Sequence, residues 1–286
     1  MRSRIRNYES RIMSTISLQS RLPKTYRIKD IKQETEMVRT YTFDGSLGAV
    51  PGQFLMLWLP GVDEKPFSVA FDDGSITKIT FFAVGPMSKA LSKAKVGDLV
   101  GLRGPFGTSY TWESGDHIAL VAGGYGAAPM FFVASEAEKQ ECTLDVIVGA
   151  RGKEHLLYLK ELESLKHVTL HVSTDDGSVG HKGYNTEVLD QLLESSADSP
   201  IDKVFACGPE MMLKSVLTIS QKHNVPCQLS LERYMKCGFG ICGNCVMDPT
   251  GIRLCKEGPV VSGEICAKIT EFGKYHRDDI GKKHEF

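Results

Sequence analysis

Between Thr25 and Gly104 the chain runs in short segments of strand character, TYRIKDIKQ, VRTYTF, QFLMLWL, FSVAF, ITKITFFAV and DLVGLRG, punctuated by glycine, proline and aspartate. Alternation places every second side chain on one face of a strand, and turn residues at close spacing join neighbours antiparallel. This stretch therefore predicts a small antiparallel β-barrel. The segment PMSKALSKA interrupts it with helix formers behind a proline suited to a first helical turn.

From Trp112 the period changes. HIALVA, TLDVIVGA, VTLHVST and KVFACG are continuous apolar runs, and they alternate with the helical segments MFFVASEAEKQ, LYLKELESL, NTEVLDQLLESS and EMMLKSVLTISQKH. Strands apolar on both faces, separated by helices, predict a doubly wound parallel sheet covered on either side. The fold class is accordingly β + α/β, and ligands in such sheets bind at the carboxyl ends of the strands. Three strand-end loops are candidates: Gly123-Gly124-Tyr125-Gly126, Thr174-Asp175-Asp176-Gly177-Ser178 and Cys207-Gly208-Pro209-Glu210. The first lacks the full G-x-G-x-x-G fingerprint, and Asp175 and Asp176 equally serve to close a turn.

Beyond the sheet, Cys237, Cys242, Cys245 and Cys255 follow the order Cys-x4-Cys-x2-Cys-x9-Cys, with Gly238, Gly240 and Gly243 among them. Glycine reaches the positive φ values that wrap a backbone around an inorganic core and aim its N–H groups at sulfur. The spacing matches a plant-type 2Fe-2S loop better than the paired Cys-x2-Cys knuckles of structural zinc, with zinc the competing ion. Cys142, Cys227 and Cys266 fall outside the pattern and read as structural.

The chain has 286 residues, 42% of them hydrophobic, enough for two domains and the cysteine segment. The expected divisions are residues 1–23 as a flexible extension, 24–111 as the barrel, 112–228 as the nucleotide domain, 229–272 as the cysteine segment and 273–286 as a charged, peripheral tail. A net charge of −1 gives no electrostatic reason to expect nucleic acid or a membrane as partner. The arginine-rich start has no apolar stretch of the secretory kind, and eight cysteines then argue for a reducing, cytoplasmic setting.

The ordered set KPFS, GPFG, GGYGAAPM, TDDGS, ACGPEMM and CGFGICGNC resembles the ferredoxin-NADP reductase superfamily, from about Lys24 to Glu271. With the cysteine loop and its continuation Cys255-Lys256-Glu257-Gly258-Pro259-Val260, the resemblance narrows to electron-transfer subunits of type B dihydroorotate dehydrogenases. It implies FAD in the barrel, NAD(H) on the parallel sheet and one 2Fe-2S cluster in the C-terminal segment. Lys65, Pro66, Phe67 and Ser68 would lie along the flavin and its diphosphate, with Phe82, Ala83, Val84, Met87 and Ser88 completing the pocket. Gly123, Gly124, Gly126, Cys207, Gly208 and Pro209 would serve NAD(H), and Cys237, Cys242, Cys245 and Cys255 would hold the cluster. The family usually carries Arg at the position of Lys65, and a lysine loses the planar fork that grips phosphate.

A hydride moves two electrons together and an iron-sulfur cluster passes one, so a flavin is needed between nicotinamide and cluster. The resemblance implies an NAD-linked oxidoreductase subunit of pyrimidine biosynthesis. Its partner would be an FMN-containing dihydroorotate dehydrogenase subunit, in a heterotetramer of two of each. A reductase subunit of a hydrogenase or ferredoxin:NAD(P) complex keeps the same fold with another partner. A zinc-stabilised interaction module is the reading from a different class. The histidines are scattered without a nucleophile or metal spacing, and no catalytic acid or base is assigned.

Overall fold

The computed structural model of the chain describes residues 22–196 and 199–286, and the expected N-terminal extension lies, up to residue 21, outside the described residues. Six strands, β1 (Lys24–Gln33), β2 (Val38–Asp44), β3 (Phe54–Leu59), β4 (Asp63–Asp72), β5 (Ile76–Phe82) and, after the short helix α1 (Pro86–Leu91), β6 (Leu99–Phe106), come first. They close into an antiparallel barrel in the order β1-β2-β5-β4-β3-β6. Alternate side chains Tyr41, Phe43, Leu55, Leu57, Ile79 and Leu102 fill its interior and are fully buried.

The parallel region is built from β7 (His117–Gly123), α2 (Ala127–Glu138), β8 (Thr143–Ala150), α3 (Leu159–Glu163), β9 (Val168–Thr174), β10 (His181–Lys182), α4 (Asn185–Ser195), β11 (Lys203–Cys207), α5 (Glu210–His223) and β12 (Cys227–Ser230). Then follow β13 (Val246–Met247), β14 (Ile252–Arg253), α6 (Leu254–Glu257), β15 (Val260–Ser262), α7 (Gly263–Cys266) and the hairpin β16 (Tyr275–Arg277) and β17 (Lys283–Glu285). The sheet order is β10-β9-β8-β7-β11-β12-β15, parallel except for the last pair. The chain winds outward from β7 in one direction and from β11 in the other, so the topological switch lies between β7 and β11, where ligands of such sheets sit.

Helix α2 is apolar nearly all round, with Ala127, Ala128, Met130, Phe132, Val133, Ala134 and Ala137 buried. Its position explains this: one side covers the sheet and the other meets the barrel, where Phe132 joins the barrel core with its ring tilted against Phe71 and Phe131 stacks on Phe71. The Tyr158 hydroxyl adds a polar lock across the same junction, bonded to Thr80 Oγ1 at 2.8 Å and Thr40 Oγ1 at 3.3 Å.

The cysteine segment shares its core with the opposite face of the sheet. Cys245, Met247, Leu254, Cys255 and Phe272 pack with Leu213, Val216 and Leu217 of α5, and β15 supplies the antiparallel edge strand. Cys142, Cys227 and Cys266 are buried, as structural cysteines should be. The tail departs from expectation: residues 275–285 form a hairpin, with His276 stacked on His284 at 5.6 Å and tilted against Phe286 at 5.1 Å. Its charged composition suggested a solvated end, but aromatic stacking and the Arg277–Asp248 ion pair (3.2 Å) fold it back.

One buried ion cluster ties these parts together. The Arg233 guanidinium, 3% exposed, donates to both oxygens of Glu210 at the start of α5 and, at 3.1 Å, to Glu271 Oε1 beyond α7. Removing one partner from a buried pair leaves charge with no compensation, which costs about 3–5 kcal/mol. Arg233→Met should therefore lower the unfolding free energy by about that amount, read as a lower midpoint in chemical denaturation, and an unshifted midpoint would contradict it.

Candidate functional site

A cavity of about 820 Å³ opens where the barrel, the switch point and the cysteine segment meet. Strand β4 contributes Lys65, Pro66, Phe67 and Ser68, and the β5–α1 region contributes Phe82, Val84, Met87 and Ser88. Cys207, Gly208 and Pro209, at the end of β11, form the opposite wall. Thus eleven of the fifteen residues expected to touch an organic cofactor face one space. Ala83, Gly123, Gly124 and Gly126 are not on its wall. The Ala83 N–H instead holds the strand end to Met37 O at 3.1 Å.

The glycines of the first strand-end loop have separable reasons. A Cβ on Gly126 would stand 2.2 Å from the Cys207 carbonyl oxygen, and one on Gly123 would meet Met212 Sδ at 2.7 Å and Pro209 at 2.8 Å. Both let the β7 and β11 loops touch. Only Gly124, at φ +54 with nothing within 4 Å, opens onto free space that a phosphate chain could enter. In the second loop Asp176 Oδ1 accepts from the Ser178 N–H at 2.9 Å, closing its own turn.

Lys65 is not a free cation. Its Nζ pairs with Asp63 at 2.7 Å, donates to Tyr234 Oη at 2.7 Å and lies 4.6 Å from the Tyr234 ring centre. Burial works against its charge, but Asp63 and Tyr234 outweigh it and hold the ammonium form. At α1, Ser88 Oγ accepts from the Gly85 N–H at 3.0 Å, so that side chain is turned back on its own helix start.

Several wall residues carry no motif and escaped the sequence reading: Tyr125, Glu232, Arg233, Tyr234, and His276 and Phe286 of the tail hairpin. The one signal available was their place, since Glu232 to Tyr234 lie just ahead of the first cysteine, on the stretch that leaves the sheet.

The cysteine loop is wedged against both neighbours. A Cβ on Gly238 would strike Met56 of β3 at 2.8 Å, and one on Gly107, just past β6, would meet Gly258 O and Pro259 at 2.5 Å. Thr108 N–H donates to Gly258 O at 2.6 Å, and the Arg103 guanidinium, forked onto Glu64 at 2.6 and 2.5 Å, lies 5.5 Å from the Phe239 ring centre. Gly238, Gly240 and Gly243 all have φ between +74 and +89, which turns the backbone around the sulfurs.

The thiols form two couples, Cys237 with Cys242 and Cys245 with Cys255. Burial opposes a thiolate at Cys237, yet the N–H groups of Cys242, Phe239 and Ile241 outweigh it and bring the group to about 6. The Cys255 thiol donates to Cys245 and, against burial, draws it to about 7, while Cys255 as the donor is pushed up. A tetrahedral zinc would gather all four sulfurs about 3.8 Å apart. Among the described residues no three of these sulfurs lie within 4.8 Å of one another. Two couples fit a two-iron cluster, one couple per iron, and the donor set is all sulfur.

Similarity to known proteins agrees with this geometry. Residues 120–218 match the family described as the oxidoreductase NAD-binding domain, and residues 232–266 match the iron-sulfur cluster binding domain of dihydroorotate dehydrogenase B. A Methanocaldococcus jannaschii protein is 45% identical over 261 residues, covering 91% of this chain and 98% of its own. A Methanothermobacter thermautotrophicus protein is 41% identical over 92% of this chain and 97% of its own. Both are named "Probable dihydroorotate dehydrogenase B (NAD(+)), electron transfer subunit". The solved structure of an NADH-dependent reduced ferredoxin-NADP oxidoreductase superposes with a TM-score of 0.76 at 27% identity, covering 85% of this chain and 89% of that one.

Gly126 offers a direct check on how the two strand-end loops meet. Gly126→Ala would force its Cβ into the Cys207 carbonyl, a backbone collision that costs about 1–3 kcal/mol. The expected result is a lower melting temperature together with weaker nicotinamide binding in a direct titration; wild-type values for both would contradict the packing argument.

Proposed function

The chain belongs to the family of dihydroorotate dehydrogenase B electron-transfer subunits, and on that footing we propose that it carries electrons between a partner's FMN and NAD+ through a 2Fe-2S cluster and FAD. The observation that carries this reading is the meeting of three walls at one cavity. A barrel strand bearing Lys65 to Ser68 faces the switch-point residues Cys207 to Pro209, and the four-thiolate loop packs beside both.

In this reading Lys65, Pro66, Phe67, Ser68, Phe82, Ala83, Val84, Met87 and Ser88 hold the flavin. Lys65 brings charge to its diphosphate while Asp63 and Tyr234 fix the ammonium. Gly123, Gly124, Gly126, Cys207, Gly208 and Pro209 hold NAD(H), with Gly126 setting the loop spacing and Gly124 the open approach. Cys237, Cys242, Cys245 and Cys255 hold the cluster. When bound, the flavin supplies the exchange between a two-electron hydride and single electrons. The protein's part is to orient both cofactors on rigid walls and to keep the cluster loop in contact with the barrel through Gly238 and Met56.

The partner is a catalytic subunit that oxidises dihydroorotate, and the complex is a heterotetramer of two of each chain. Supporting this docking, Ile241 is 73% exposed beside the exposed Cys242, so one edge of the loop is apolar and uncovered. No helix among the described residues is long and apolar enough to cross a membrane. The cysteine segment and the nucleotide sheet share one hydrophobic core.

Two measurements test the reading. The complex purified with its partner should reduce NAD+ when given dihydroorotate; a hydrogenase or ferredoxin-linked subunit in its place, with no NADH formed, would overturn it. Cys242→Ser should strip or weaken the iron-sulfur spectrum while FAD stays bound and NADH-driven dye reduction persists. Cys142→Ser should leave that spectrum intact, and an intact cluster in Cys242→Ser would refute the ligand assignment.

A further inference from the structure

We propose that Tyr158 is a positioning residue for hydride transfer: its hydroxyl closes a circuit of hydrogen bonds that holds the nucleotide sheet at one fixed angle to the barrel. The inference rests on the reading above, in which the flavin lies on the barrel and NAD(H) on the sheet. Hydride transfer requires the two reacting atoms to be held close and aligned, and a misplacement of about 1 Å from a distant change can cost about a hundredfold in rate. Whatever fixes the barrel against the sheet therefore governs the chemistry.

The two bodies meet at opposite halves of the sheet. On the half that carries β11, β12 and β15, the chain leaving the barrel is pinned by side chains: Tyr110 Oη donates to Ala206 O at 2.8 Å, Gln228 Nε2 to Thr111 O at 2.8 Å and Thr108 Oγ1 to Val260 O at 2.7 Å. An anchor on one side alone leaves a rotation about itself. On the β8 and β9 half the junction is largely apolar, with Phe131 and Phe132 of α2 against Phe71 of β4. Apolar contact has no preferred direction and tolerates sliding, whereas a hydrogen bond has a narrow range of distance and angle. Tyr158, between β8 and α3, supplies that direction.

Its hydroxyl lies 2.8 Å from Thr80 Oγ1, Thr80 Oγ1 lies 2.8 Å from Thr40 Oγ1, and Thr40 donates to Glu34 Oε1 at 2.7 Å. Lys32 Nζ then joins Glu34, at 2.9 Å, to Glu161, at 2.6 Å, and Glu161 stands on α3 just beyond Tyr158. The circuit leaves the sheet side at Tyr158 and returns to it at Glu161, so it crosses the junction twice. Paired with Lys32, the Glu34 carboxylate is an acceptor only; it takes the Thr40 proton and leaves Thr40 to accept. Along the shortest distances the donors then run from Tyr158 to Thr80 to Thr40 to Glu34. Burial pushes the Tyr158 hydroxyl up, which keeps its proton in place as the first donor.

Two further observations single out Tyr158. It stands at φ +61, in the left-handed region, where a bulky side chain is strained and persists only if its surroundings over-determine it. Leu157 and Leu162 beside it are buried in the core of the sheet, so the hydroxyl is carried by a rigid post. At the other end of the bond, Thr80 lines the cavity, two residues from Phe82 on the same face of β5. The bond thus runs from the nucleotide sheet to the flavin wall.

The test uses the full chain with its flavin and cluster, under anaerobic conditions. Tyr158→Phe removes the hydroxyl and keeps the ring, Thr40→Val breaks the middle of the circuit, and Thr40→Ser restores it. Flavin bleaching in a single turnover with saturating NADH should slow about tenfold or more in Tyr158→Phe and Thr40→Val, with NADH affinity within about twofold of wild type. Thr40→Ser should bleach within about twofold of the wild-type rate. Without turnover, tetrahydro-NADH, an analogue that cannot give up a hydride, should raise a long-wavelength charge-transfer band on the oxidised flavin of the wild type. That band should weaken in Tyr158→Phe and Thr40→Val and return in Thr40→Ser.

A wild-type rate and band in Tyr158→Phe overturn the proposal whatever the melting temperature, since a merely structural hydroxyl would lower the melting temperature alone. A rate loss that disappears at saturating NADH overturns it as well, because that is a loss of binding. A Thr40→Ser protein as slow as Thr40→Val does the same, because that is a loss of packing. A wild-type flavin that NADH does not bleach counts against the electron-transfer reading and takes this inference with it. A bleaching wild type with an indifferent Tyr158→Phe counts against the positioning circuit alone.

Discussion

The buried fork of Arg233 between Glu210 and Glu271 is the constraint on which the site depends. Helix α5 starts at Glu210, directly after the Cys207-Gly208-Pro209 wall, and Glu271 ends the cysteine segment. Holding both carboxylates on one guanidinium fixes the segment between Ser230 and Met235 across the floor of the cavity. That sets Glu232 on the cavity wall beside Arg233 and starts the cysteine loop four residues beyond it. Burying three charges is justified only when they are paired and hydrogen-bonded, and the fork supplies that pairing for most of them. Glu271 Oε2 has no hydrogen-bond partner but lies 3.9 Å from Arg277 Nε, so a second arginine balances the second carboxylate.

The cysteine segment behaves less as an appendage than as a mortar between the other two bodies. It gives the sheet its edge strand β15, gives α5 a shared apolar core, and meets the barrel where Gly107 and Gly258 approach too closely for any side chain. Electron passage between a flavin and a cluster is served by close packing, which these contacts supply. The edge of the loop at Ile241 and Cys242 is exposed and faces outward.

Much of this was legible in the sequence because periodicity and spacing are local. The alternation of the barrel strands, the βα succession of the sheet and the Cys-x4-Cys-x2-Cys order each declare themselves within a few residues, and TLDVIVGA and EMMLKSVLTISQKH occupy the very spans expected. What escaped depends on partners far away in the chain. VVS at 260–262 is too short to announce a strand, and it is one only because β12 lies alongside. Gly123 and Gly126 look like a phosphate turn from sequence, whereas their neighbours Met212 and Cys207 come from some eighty residues later and show packing as their reason. The tail looked solvated since its charges are visible in sequence and the stacking of His276 with His284 is not.

The lysine that stands where the family usually has arginine illustrates how such a departure is absorbed. An arginine would grip phosphate with a fork and need little help from its surroundings. Lys65 has three donors on a flexible stem, and two are committed, to Asp63 on the same strand and to Tyr234 on the segment that Arg233 anchors. Those partners fix the stem against a strand on one side and an aromatic face on the other, leaving one donor free to point into the cavity. The orientation that a guanidinium carries in its own plane is for this ammonium set by two neighbours, Asp63 and Tyr234. Its geometry is therefore only as rigid as the fork of Arg233, one residue before Tyr234. A perturbation of that buried pair would reach the Lys65 wall of the cavity through Tyr234 as directly as it reaches the cysteine loop through Cys237.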